Sequence, residues 1–310
     1  MELEFIRRLR ERIPARQGDL LVGPGDDAAV LVWRTASDCV VTTDMLTDGV
    51  DFRLAEADPR RIGRKALAVN LSDLAAMAAV PVAAVVSLAL PRSASLEPAW
   101  ELYEGLLPLA AEFDTHIAGG DTNAWDGGLV ISVTAIGRTT ERGPLLRSGA
   151  RPGDAIVVTG DFGGSILGKH FDFTPRVREA LHLRANYEVH AAMDVSDGLS
   201  LDLSRLCEES RCGAELDLAS VPISAAAGEA ARRDPAAGTP LDRALSDGED
   251  FELLLAMPPD EARRLAAEGV LGVPATVVGR FVAEPGLFAI DAAGVRTPLV
   301  PRGYEHRFGP

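Results

Sequence analysis

The sequence predicts an α/β (α+β) protein of two domains. Short apolar runs of strand length alternate with longer segments of helical period, and 310 residues suffice for two cores of ordinary size. A Gly-, Pro- and Arg-rich stretch at 138–154 divides the halves, giving expected domains at 1–140 and 141–310. No internal period of roughly 20 to 50 residues recurs, which excludes a repeat architecture.

A charged amphipathic helix is expected at 2–13, ending near Pro14. Gly23, Pro24 and Gly25 then make a tight loop that sets Asp26 and Asp27 ahead of a strand at 28–33. A second strand, 39–46, ends in Thr42, Thr43 and Asp44, and strand ends are where ligand groups collect in α/β folds. The stretch 60–80, RRIGRKALAVNLSDLAAMAAV, is apolar nearly all round and reads as a buried helix. Asn70 and Asp73 share one of its faces, and a buried carboxylate there needs a hydrogen bond, an ion pair or a metal. Lys65 and Arg64 lie two turns back, so a cation from outside the helix is the expected partner.

A strand at 82–90 and a helix at 96–113 lead to HIAGGDTN, where Gly119 and Gly120 permit a close backbone approach and Asp121 stands at the exit. A strand at 129–137 closes this half. The second half opens with a strand at 155–160 and helices at 165–170 and 175–189. The segment from Met193 reads as a turn into a helix, with Asp194, Ser196 and Asp197 at the helix N-terminus, where acids serve equally well as caps. The Ala- and Gly-rich stretch 225–238 fits no single element, 244–257 is a turn into a strand, and 287–300 is a hairpin.

The net charge of −15, without a basic run or aromatic platform to offset it, excludes a nucleic-acid binder held by phosphate contacts. The N-terminus lacks the apolar core of a signal peptide, and the longest apolar run, 75–89, is broken by Pro81 and Ser87. A soluble, cytoplasmic protein with no membrane partner is expected. Cys39, Cys207 and Cys212 form no CxxC pair and read as free thiols. No His falls in an HExxH pattern, although His306 in the tail could edge a pocket.

The acids divide into two groups. Glu2, Glu4, Glu11, Glu56, Glu208 and Glu209 sit at solvated helix positions, whereas Asp27, Asp44, Asp73, Asp121, Asp194 and Asp197 lie beside apolar strands, at Gly turns or in the buried helix. If the strand ends converge, the second group supplies oxygen ligands for Mg²⁺ and suits phosphoryl transfer, where metal ions neutralise phosphate charge. GGSILGK at Gly163 to Lys169 nearly matches a P-loop but has His170 where a Ser or Thr should hold the metal. The expected alternative is a plain turn with Lys169 on a solvated face.

GPGDDAAVL, VVTTDMLTDGVDF, KALAVNLSDLAAM, GGDTN, RSGARPGD, MDVSDGLSLDL and SDGEDFEL, in that order over nearly the whole chain, resemble the thiamine-monophosphate kinase family. The first and fourth motifs reach only the wider ATP-binding superfamily, which includes aminoimidazole ribonucleotide synthetase, selenophosphate synthetase and a hydrogenase maturation factor. VNLSDLAAM, DVSDGL and GEDFEL are more specific to the kinase. No Cys stands in the first 20 residues, unlike selenophosphate synthetase, and RGYEHRFGP carries no Cys motif of a maturation factor. The enzyme alternative is an aminoimidazole ribonucleotide synthetase, and the non-enzymatic one is a maturation factor.

The resemblance implies an aminoimidazole ribonucleotide synthetase-like fold, an N-terminal sheet at the interface of a homodimer, and a C-terminal α/β domain. It also implies direct transfer of the γ-phosphate of ATP to thiamine monophosphate, with several Mg²⁺ ions. By motif, Asp27, Thr42, Thr43, Asp44, Asp73, Asp121, Asp194 and Asp197 fall at metal positions, and Tyr103, Gly120, Asp121, Arg147 and Ser196 at nucleotide positions. Asp44, Asp121 and Arg147 are the implied catalytic residues; Asp51, Glu249 and Tyr304 fall where the acceptor binds. The family commonly has His where this chain has Asp51. Its carboxylate would repel a phosphate, so it is expected to turn to solvent or to recruit a cation.

Overall fold

The structure, a computed structural model, describes residues 20–22, 29–31, 37–93 and 97–306. The expected helix at 2–13, the Gly23–Pro24–Gly25 loop, Asp26 and Asp27 lie outside the described residues. In the first half β1 (Leu20–Val22), β2 (Ala29–Leu31), β3 (Cys39–Thr47), β4 (Val80–Pro91), β5 (His116–Trp125) and β6 (Val130–Arg138) form one sheet in the order β1-β2-β3-β6-β4-β5. Only β4 and β5 pair in parallel there. α1 (Pro59–Ala76) and α2 (Glu97–Glu112) belong to this half.

α1 organises the molecule. Asp58 caps its N-terminus by accepting from the Arg60 N–H at 2.9 Å, and Pro59 occupies the first turn, where no N–H is needed. Gly63 lets it cross α2 at backbone contact, since a Cβ there would stand 1.9 Å from the Leu102 carbonyl oxygen. With Ile62, Leu67, Leu71 and Leu74 fully buried, α1 packs on β3, β6 and α2 and also against the second half. One apolar core consequently runs from Val40 and Leu71 through Leu183 and Leu255.

In the second half β7 (Ala155–Thr159), β8 (Ala191–Val195), β9 (Gly213–Asp217), β10 (Glu252–Met257), β11 (Ala275–Val282), β12 (Gly286–Ile290) and β13 (Arg296–Pro298) form a sheet ordered β13-β12-β9-β11-β7-β10-β8. Its helices include α3 (Lys169–Asp172), α4 (Val177–Asn186), α5 (Leu199–Ser210), α6 (Ala225–Arg233), α7 (Pro240–Ser246) and α8 (Pro259–Glu268). α1 packs on α3, α4 and β8, and a second core of Ile156, Met193, Leu203 and Phe281 lies elsewhere in this half.

Several local expectations change. HIAGGDTN is the start of edge strand β5, and MDV ends a fully buried strand before the turn. Residues 225–238 resolve into α6 and a short 3-10 turn, Ser224 capping α6 through the Ala227 N–H. The 287–300 hairpin is present as β12 and β13. No described helix is long and apolar enough to cross a membrane, and all three cysteines are buried free thiols.

Candidate active site

A cavity of about 600 Å³ opens between the halves, lined by Asp44, Asp51, Lys65, Ser196, Asp197, Glu249 and Tyr304 among others. β3 positions the first of these by strand alternation. Thr42 and Asp73 meet where β3 packs on α1, the Thr42 hydroxyl donating to the Asp73 carboxylate. The Thr43 side chain points to the other face of the sheet, where it donates to the Val133 carbonyl at 3.1 Å and accepts from Thr134 at 2.9 Å.

The preceding residue of α1, Ser72, donates at 2.5 Å to Asp194 near the end of β8, a carboxylate that is 2% exposed. Ser72 and Asp73 thus draw β3 and β8 to one segment of one helix. Asp197 follows on the turn before α5, where it accepts from Arg205, which also donates to Asp202 at 2.8 Å. Arg205 was not foreseen; its only sequence signal is its i,i+3 spacing from Asp202.

The other predicted residues spread more widely. Asp121 is exposed on β5, accepting from the Thr122 N–H at 2.8 Å, and β6 and β4 intervene between β3 and β5. Three strand spacings put it about 14 Å from Asp44 within one chain. The close approach at Gly120 is to a neighbouring strand, since a Cβ there would stand 1.8 Å from the Val86 carbonyl oxygen. Tyr103 is half-buried on α2, its phenol pKa raised by burial, and does not line the cavity. Arg147 presents its carbonyl to Ser210 at 2.7 Å, near the Asp202–Arg205 pair.

Elsewhere on the cavity wall Lys65, 1% exposed, donates to the Glu249 carboxylate and, at 2.9 Å, to the Asp51 carbonyl oxygen. Burial pushes the Glu249 carboxyl up and the Lys65 charge pulls it back, leaving a raised pKa. Glu249 and Phe251 both have positive φ, +65° and +51°, a strained backbone held by hydrogen bonds to the Ser196 and Val195 carbonyls. The Asp51 carboxylate lines the cavity but is not simply turned to solvent. It folds back to accept the Thr47 N–H at 2.7 Å, closing its own turn. Tyr304 and His306 line the same cavity from the C-terminal tail.

The near-P-loop is occupied by the chain itself. Gly163 N–H donates to both Asp250 oxygens at 3.0 Å and Gly164 N–H to Asp247 at 2.9 Å, so these donors are committed before any phosphate arrives. Lys169 is not on a solvated face. It donates at 3.0 Å to Glu252, a 1% exposed carboxylate also held by Arg176 at 2.6 Å.

For a metal, the donors present are hard oxygens of the kind Mg²⁺ prefers. Among the described residues no three His, Cys, Asp or Glu come close enough to form a protein-only cage. Mg²⁺ held jointly with phosphates needs only one or two carboxylates, and Asp44 and Asp197 both line the cavity.

Two family models match the chain: AIR synthase related protein, N-terminal domain, over residues 25–139, and AIR synthase related protein, C-terminal domain, over residues 151–292. The thiamine-monophosphate kinase of Rhodopirellula baltica is 47% identical, covering 99% of this chain and 97% of its own. A solved structure described as AaThiL complexed with AMPPCP and TMP matches with a TM-score of 0.82 at 26% identity, over 98% of this chain and 96% of that one. Thiamine-monophosphate kinase from Stenotrophomonas maltophilia K279a matches with a TM-score of 0.72 at 36% identity, over 93% and 95%. With whole-length identity and a cavity between two AIR synthase-related domains, this chain belongs to the thiamine-monophosphate kinase family.

Proposed function

We propose that this chain transfers the γ-phosphate of ATP to the phosphate of thiamine monophosphate, giving thiamine diphosphate and ADP. The observation that carries the reading is that one cavity joins two chemistries. Asp44 and Asp197 offer carboxylates for a phosphate–metal cluster, and Glu249 with Tyr304 offers a carboxylate and an aromatic face for a cationic ring. The family to which the chain belongs performs this reaction by name.

The phosphate end is assigned to Asp27, Thr42, Thr43, Asp44, Asp73, Asp121, Asp194 and Asp197. Mg²⁺ there would neutralise the charge of the phosphates so that acceptor and donor oxygens can approach. Ser196 and Arg147, with Gly120 and Tyr103, are assigned to the nucleotide, and Arg147 steadies it while the acceptor phosphate attacks in line, with no phosphoenzyme. Asp51, Glu249 and Tyr304 are assigned to the acceptor. The domain division at 140/141, the cytoplasmic location and a homodimer complete the reading. Support for the dimer comes from β5, an exposed edge strand with Trp125 44% exposed, a surface that invites pairing.

Calorimetric titration with thiamine monophosphate in the presence of a non-hydrolysable ATP analogue tests the acceptor. Saturable binding that formylglycinamidine ribonucleotide does not displace is expected. Preferential binding of the latter would move the chain to ring-closing chemistry.

A further inference from the structure

The Gly163 and Gly164 N–H groups of the GGSILGK segment are taken by the chain's own carboxylates, and the segment is tightly held. Gly163 and Gly164 adopt φ of +87° and +72°, and a Cβ on them would stand 2.7 Å from the Ala244 nitrogen and 2.4 Å from the Ala226 carbonyl carbon. Only glycine fits both the space and the conformation. Their N–H groups go to Asp250 and Asp247, and the Ser165 hydroxyl goes to Asp250 as well. The segment is therefore pinned to the 247–250 turn, the same turn that carries Glu249.

What this frame holds out is Ile166. It is 65% exposed, beside a Ser165 that is wholly buried, and it lines the cavity together with Val50, Glu249 and Tyr304. Val50 and Tyr304 are themselves 55% and 48% exposed. With Met45, 65% exposed, four exposed apolar or aromatic side chains border one cavity with a carboxylate in it. That combination complements a flat heteroaromatic cation, whose faces are apolar and whose charge the carboxylate attracts.

We propose that Ile166 is a specificity-determining residue of the acceptor site, forming the apolar wall against which the acceptor's heteroaromatic rings pack. The inference rests on the acceptor being thiamine monophosphate. The near-P-loop is then a rigid mount for that wall, and its carboxylate staples keep Ile166 and Glu249 in fixed relation.

Because Ile166 is exposed, its substitution leaves the fold intact, which thermal unfolding verifies. Steady-state kinetics on Ile166→Ala, Ile166→Ser and Ile166→Val, varying ATP and thiamine monophosphate separately, read the role directly. The acceptor KM is expected to rise about tenfold in Ile166→Ala and further in Ile166→Ser, while Ile166→Val stays near the parent. The ATP KM stays unchanged in all three. Acceptor KM values in the Ala and Ser variants that match the parent, or an ATP KM that rises in parallel, overturn the proposal. A parent chain that phosphorylates no thiamine monophosphate removes the functional reading and this wall with it; an active parent with indifferent variants removes the wall alone.

Discussion

Lys65 and Glu249, 184 residues apart in sequence, form an ion pair that ties α1 of the first half to the strained turn of the second. The same ammonium holds the Asp51 carbonyl at 2.9 Å, so one buried charge fixes both sides of the cavity. Lys65 is buried and Glu249 half-buried, so removing either partner leaves the other charge only partly solvated. Because Glu249 is 31% exposed in the cavity, Lys65→Met should lower the unfolding free energy by about 1–2 kcal/mol, and Lys65→Met with Glu249→Gln should lose less than the two single changes added together. Urea denaturation of the four proteins measures the coupling; strict additivity would mean that the pair does not act as a unit.

The phosphate-side acids carry the largest expected effect on turnover. Asp44→Asn and Asp121→Asn should each cut kcat by about a hundredfold or more, as loss of charge stabilisation at a phosphoryl-transfer site does. Near-parental turnover in both variants would remove these residues from the reaction.

Lys169 tests the fate of the near-P-loop. Burial pushes the Glu252 carboxyl up, but the Arg176 hydrogen bonds and the Lys169 charge outweigh it and hold the pKa below the ordinary value. Lys169→Met should therefore reduce stability, since Glu252 loses one of its two cations, while the ATP KM stays where it was. An ATP KM raised severalfold at unchanged stability would restore a nucleotide role to GGSILGK.

Asp250 gives the molecule a pH dependence. Burial raises its pKa from 3.8 to about 7 against the opposing hydrogen bonds from Ser165 and Gly163. The folded chain then binds this proton more tightly than the unfolded chain does. The stabilisation it contributes is present in full below pH 3.8 and is lost as the pH rises through about 7. The stability difference between parent and Asp250→Asn should fall across that window by at most about 1.4 kcal/mol per pH unit and flatten above it. A difference independent of pH would contradict the shift.

The fold class, the central helix and the acids beside apolar strands were legible because each rests on local periodicity or on a motif. What escaped was non-local. Lys65 stands two turns from Asp73 on the same helix, while its actual partner comes from the other half. Arg205 was visible only as a helix-spaced partner of Asp202, and its bond to Asp197 depends on how the turn folds. β8 was hidden because a fully buried five-residue strand has no alternation. Asp51 raised the right question, whether a carboxylate could face a phosphate, but nothing in the sequence shows that it caps its own turn. Asp121 and Asp44 share a motif logic, and only the sheet order reveals the strands between them.

The most direct test of the whole account is to incubate the purified chain with Mg²⁺, ATP and thiamine monophosphate and to follow thiamine diphosphate and ADP together by chromatography. The account predicts equal formation of both products, abolished by EDTA. ADP formed without thiamine diphosphate, or neither product despite ATP binding, would contradict it.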